Sequence, residues 1–85
     1  MTFLEKYRKT NNKWHDKVFI IELYHLAMTN YNKKWSIKNT SQYFNISIGL
    51  ASENLKIANA IHHNQELIYC KTRHDVLDKI NNNEG

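Results

Sequence analysis

The chain has 85 residues, 41% hydrophobic and 12% aromatic, which allows one small domain with a modest core. It holds no Pro, and Gly49 is its one internal Gly, so helices meet almost no breakers and hairpin dipeptides such as Asn-Gly or Asp-Gly are missing. The expected fold is all-α, a small domain of about five helices spanning residues 1–80.

The net charge of +4 is unevenly placed: residues 1–42 carry eight Lys/Arg against three acids, and residues 43–85 carry four against five. Lys6, Arg8, Lys9, Lys13, Lys17, Lys33, Lys34 and Lys38 make up the basic half. Such polarity suits a polyanionic partner, with a solvated Lys-rich face as the plainer explanation. The single cysteine, Cys70, excludes an intrachain disulfide and suits a reducing compartment. No apolar run approaches the roughly 20 residues that span a bilayer, and the opening MTFLEKYRKTNNK lacks a signal-peptide core. A cytoplasmic location is expected.

In chain order, Thr2 and Glu5 have capping-box spacing and start a short helix from Phe3 to about Lys9. Asn11 or Asn12 can then cap a longer helix, from about Lys13 to Tyr31. Its Trp14, Val18, Ile21 and Met28 recur near helical spacing, and Phe19, Leu23, Leu26 and Ala27 widen the stripe. That breadth predicts neighbours on more than one side. Asn30 to Lys34 forms a basic link, Trp35 a core anchor, and Ser36 an N-cap for a helix from Ile37 to Phe44. Asn45 can end that helix in the left-handed conformation, and Ser47 caps the next one, Ile48 to about His62. Between Asn64 and Lys71, the residues Leu67, Ile68 and Tyr69 are expected to fold back on the core. Thr72 with Asp75 starts a last helix carrying Val76, Leu77 and Ile80. The tail from 81 to 85 is expected to fray.

The residues from 36 to 62 have the spacing of a helix-turn-helix, in which the second helix enters the DNA major groove. Such a unit needs a small residue midway along its first helix, and Ser41 stands there. Four residues on, the turn needs positive φ, for which Asn45 is the next choice after Gly. Ala51, Leu55 and Ala58 then form the buried face of the second helix, and Phe44 fills the space between the two. Geometry leaves Ile48, Gly49, Ser52 and Glu53 facing bases, with Lys56 one turn on. A bare Gly49 costs roughly 1 kcal/mol against Ala in a helix, which close approach to DNA would explain. Otherwise it merely fills an exposed turn.

Ser47 and the amides behind it can hold a phosphate, and Lys33, Lys34, Lys38 and Lys56 can reach others. Ser52 can bond any base edge, Ile48 can touch a thymine methyl, and Glu53 can accept from cytosine N4. Glu53 could equally face solvent or orient Lys56. No Arg or Gln occupies the first turns, so a single copy is expected to read DNA with modest specificity.

The run TSQYFNISIGLASENLKIANAI resembles the helix-turn-helix of the ParB/KorB class of plasmid, chromosome and phage DNA-binding proteins. Thr40, Ser47, Ser52, Leu55 and Ala58 match the T-A-x-x-x-G-x-S-x-x-x-V-S-x-x-L-x-L-A pattern of that class, with Ile57 for its second Leu. Ser41, Asn45 and Ala51 stand where the class prefers Ala, Gly and Val. Thr72, Arg73 and Leu77 match a following T-R-x-x-A-L helix, with Val76 for Ala. The resemblance covers about Trp35 to Ile80. It implies double-stranded DNA as partner, and the 85 residues leave no room for the nucleotide-binding domain of true ParB proteins. The abundance of Asn, Lys and Ile suggests an AT-rich genome such as that of a phage or low-GC bacterium.

Other constellations read more plainly as structure. His62, His63, Cys70 and His74 match no common zinc spacing, and histidines suit the negative end of a helix. Cys70 with His74 lacks the third group of a thiol nucleophile, and a half-buried structural thiol is the simpler reading. Glu22 and His25 read as an exposed helix edge. Trp14, Trp35 and the five Tyr read as core rather than as stacking platforms. No catalytic constellation can be assembled, and neither cofactor nor metal is expected. The reading is a non-enzymatic DNA-binding regulator or partition-site binder, acting as a homodimer on a two-fold site. Its competitors are a protein-interaction adaptor or inhibitor, favoured by Glu53 and the scarcity of Arg, and a terminase-like packaging subunit that binds DNA as a ring.

Overall fold

A computed structural model describes residues 2–10 and 13–83. In order they form α1 (Phe3–Lys9), α2 (Trp14–Tyr31), α3 (Ile37–Phe44), α4 (Ile48–His63), a 3-10 segment (Gln65–Tyr69) and α5 (Arg73–Asn83). No strand occurs among the described residues, so the domain is all-α as composition requires.

Local chemistry starts most of these helices. Thr2 Oγ1 accepts from the Glu5 amide at 3.1 Å, Ser36 Oγ from Asn39 at 3.3 Å, Ser47 Oγ from Leu50 at 3.0 Å and Thr72 Oγ1 from Asp75 at 3.2 Å. Each bond satisfies one of the amides that a helix start leaves without a partner. Asn11 and Asn12, the expected caps of the long helix, lie outside the described residues. Lys13 precedes its first turn and makes no side-chain cap. Asn81 to Asn83 continue α5 where the sequence predicts fraying, while residues 84 and 85 lie outside the described residues.

The long helix α2 serves two apolar clusters. In the first, Val18 packs with Ile57, Ala58 and Ile61 of α4, Leu67 of the 3-10 segment and Val76 of α5. In the second, Ile21 and Tyr24 meet Phe44 of α3, with Phe3, Leu4 and Tyr7 of α1 and Leu55 of α4 around them. Tyr24 is the aromatic hub of this second cluster. Its ring stacks on Tyr43 at 4.1 Å and meets Phe3 and Phe44 edge-on at 5.5 and 5.2 Å. The Tyr43 hydroxyl also accepts from the Leu4 amide at 3.3 Å, satisfying an amide in the first turn of α1.

Four expectations need correction. Leu23, Leu26 and Ala27 do not widen the buried stripe of α2; Leu23 is 59% and Leu26 52% exposed. Glu22 is not a free helix edge, because His62 of α4 bonds both its carboxylate oxygens, at 2.8 and 3.0 Å. Only Leu67 of the 3-10 segment folds fully inward. Ile68 and Tyr69 are exposed, because a short segment with three residues per turn can aim just one side chain at the core. Finally, Tyr31 and Tyr69 lie on the surface, so the aromatic residues are not uniformly core. The Ile68 carbonyl nonetheless accepts from His15 Nε2 at 2.6 Å, which ties this segment back to α2. Cys70 is half-buried against the first cluster.

Candidate nucleic-acid interface

Three residues join α3 to α4. Asn45 takes φ 58° and ψ 46°, the one positive-φ residue other than Gly among those described. Its amide bonds the Gln42 carbonyl at 3.2 Å, and the Ile46 amide bonds the Ser41 carbonyl at 3.0 Å. These two bonds form a Schellman ending, which closes the last carbonyls of α3 and reverses the chain. Asn tolerates the left-handed region better than other residues with a Cβ, which explains its place here. Ser47 then caps α4 at once.

Small buried residues let the two helices approach. Ser41 and Ala51 are both buried, and the Ser41 hydroxyl is satisfied internally by the Lys38 carbonyl at 2.7 Å. Phe44 and Ala58 are buried as their spacing predicts, and Leu55 is half-buried. Asn54 is buried too, a polar side chain on the inner face of α4.

That inner face fixes the outer one. Ser47, Ile48, Gly49, Ser52, Glu53 and Lys56 are all exposed and follow one strip along the first turns of α4. Ile48 is 51% exposed, a high value for an isoleucine with a core within reach. A Cβ built on Gly49 would meet only Ser47 Oγ, at 4.0 Å, so nothing inside the protein requires glycine there. Lys33 and Lys34 sit in the exposed link before α3, and Lys38 is exposed as the second residue of α3. Two of the other N-terminal lysines lie over aromatic rings: Lys6 Nζ is 5.9 Å from the Phe3 centroid and Lys17 Nζ 5.2 Å from that of Tyr7.

Glu53 is not a free acceptor. Arg73, at the start of α5, bonds its carboxylate through Nη2 and reaches Asn54 Oδ1 through Nε at 3.1 Å. One planar guanidinium thus holds an exposed carboxylate and a buried amide of α4 together. Burial raises the pKa of the Tyr7 phenol, and the same positive charge opposes that rise in part. Sequence reading placed Arg73 only within the T-R run, because a contact 20 residues away leaves no local signal.

The base of α3 is pinned by a second network that the sequence did not show. Trp35 Nε1 donates to the buried Thr40 Oγ1 at 2.9 Å, and that hydroxyl bonds His25 Nδ1 at 2.7 Å. With the indole as donor, the hydroxyl keeps one lone pair and its own proton, so either tautomer of a neutral imidazole completes the bond. Burial lowers the His25 pKa below its ordinary value, in keeping with that arrangement. His25 is therefore a tether between α2 and α3, not a solvent-facing edge.

The remaining histidines disperse. His63 Nδ1 donates to the Asn59 carbonyl at 2.8 Å, and His74 lies 3.9 Å from Asp78 one turn away. No group of three or more potential metal ligands occurs among the described residues, and no helix there is long and apolar enough to cross a membrane. No family model, curated protein or solved structure matches the chain, and the ParB/KorB resemblance rests on the residues quoted for it.

Proposed function

We propose that this protein binds double-stranded DNA through α3 and α4 acting as a helix-turn-helix, in the manner of small phage or plasmid regulators or partition-site binders. The observation that carries the reading is the exposed strip Ser47–Lys56. It begins at a capped helix start, includes an isoleucine left outside the core, and presents a glycine that no packing inside the protein requires. Ile48, Gly49 and Ser52 face the bases. The Ser47 turn, Lys56, Lys33, Lys34 and Lys38 engage phosphates. Glu53, held by Arg73, positions α5 against α4 and reads no base. The setting is the cytoplasm, where Cys70 stays reduced.

So few base-reading groups favour two copies on a two-fold site. A protein-interaction role is the second reading, and the exposed Ile48 is what favours it.

Salt titration of binding to random-sequence duplex separates the two. Four lysines on phosphates give a slope of log K against log salt near about −3.6 per copy, or roughly a hundred-fold loss between 50 and 200 mM salt. No binding at 50 mM salt, or binding indifferent to salt, refutes the DNA reading.

A further inference from the structure

The exposed apolar residues of α2 follow a seam that neither core explains. Leu23, Leu26 and Ala27 share one side of the helix with the half-buried Phe19, whose other flank packs on the first cluster, and Asp16 and Asn30 lie at the two ends. From Asp16 through Phe19, Leu23 and Leu26 to Asn30 the spacing alternates three and four, the repeat by which one helix packs along another. Between α1 and α2 the same side opens into a cavity of about 390 Å³. Its floor is Asp16, Phe19, Ile20 and Leu23, and Lys6 and Lys9 stand at its wall.

Those four floor residues are i, i+3, i+4 and i+7. Four residues so spaced form the hole that receives one side chain from a facing helix. We infer that the occupant is Leu26 of a second copy of this chain, in an antiparallel α2–α2 dimer whose two-fold axis passes by Leu23.

The register follows from the numbering. With Leu23 opposite Leu23, Leu26 of each copy lies over Ile20 of the other, at the centre of the hole, and both holes fill at once. Asn30 of each copy then meets Asp16 of the other, an amide against a carboxylate. Charge also favours this direction. The last turn of α2 carries no basic residue, and the antiparallel arrangement sets its negative end beside Lys6 and Lys9 of the other copy. A parallel pair would instead place Asp16 against Asp16.

This pairing supplies the second copy that the DNA reading asks for, but it does not need DNA, so solution mass tests it independently of duplex binding. The seam is only about three turns long, so association is expected at roughly 10–100 μM chain. Light scattering and sedimentation over that range should give twice the 10.2 kDa of the chain. Leu26→Glu sets a carboxylate over Asp16 and Phe19 of the other copy and should weaken the dimer by at least about a hundred-fold. Because Leu26 is exposed, helicity by circular dichroism should not change. In a Cys70→Ser background, Leu23→Cys should form an intermolecular disulfide under mild oxidation, and a cysteine at Lys79 should not. Monomer at every concentration, a dimer that survives Leu26→Glu, or equal cross-linking from both cysteines overturns the proposal.

Discussion

Replacing Gly49 by alanine should make this protein more stable and worse at its proposed task. Gly49 is the second residue of α4, has no positive φ, and a Cβ there would find its nearest neighbour 4.0 Å away. The substitution therefore adds helix propensity without strain, about 0.5–1 kcal/mol. In a domain of this size that raises Tm by about 2–8 °C. If α4 lies in a groove, the added methyl meets a base edge or sugar at the point of closest approach. An overpacked contact of that kind costs roughly 1–3 kcal/mol, or about thirty-fold in affinity at the middle of the range. Thermal denaturation by circular dichroism and fluorescence anisotropy on a labelled duplex measure the two effects on one preparation. A rise in Tm with unchanged affinity would mean that Gly49 fills an ordinary surface turn and that the docking face is misplaced. A fall in Tm would refute the open geometry itself.

Two further outcomes concern the fold. His25 is held neutral by burial, so its folded pKa lies below the unfolded value of about 6.5. The unfolded chain then takes up the proton first, so this contribution is complete above about pH 6.5 and is lost as pH falls toward the lowered folded value. Urea denaturation from pH 8 to 5 should show that decline, and His25→Gln should flatten it; an unchanged slope in the variant would remove His25 as its source. At the turn, Asn45→Ala should cost about 1 kcal/mol while Asn45→Gly should be neutral or slightly stabilising. Equal denaturation midpoints for Ala and Gly would argue against a left-handed residue at this position.

Features that depend on near neighbours were readable from the chain. A Thr or Ser three residues before an amide it can accept from marks a helix start at positions 2, 36, 47 and 72. The left-handed turn follows from Asn45 alone, because few other residues tolerate it. Contacts between distant residues were not readable. Glu22 with His62, Arg73 with Glu53, and the Trp35–Thr40–His25 chain join polar groups whose local surroundings suggest only solvent. Leu23, Leu26 and Ala27 show a third limit. Periodicity tells which residues share a side of a helix, but not whether this chain or another covers it. Tyr24 reads as core together with the other four Tyr, but nothing near it in the chain marks its ring as the centre of the second cluster.

The double allegiance of α2 bears on how the proposed DNA-binding unit could be moved or inherited. Val18 belongs to one cluster, and Ile21 and Tyr24 to the other, so α3 and α4 rest on side chains supplied 12 or more residues upstream of Ser36. Cut out alone, the two helices would keep their caps and their turn but lose the partners of Phe44 and Ile57, and short helices are marginal without tertiary support. A transplant into another protein would have to carry the chain from Phe3 onward. Recombination during evolution meets the same constraint, and a crossover between Tyr24 and Ser36 would separate a recognition surface from the beam that holds it.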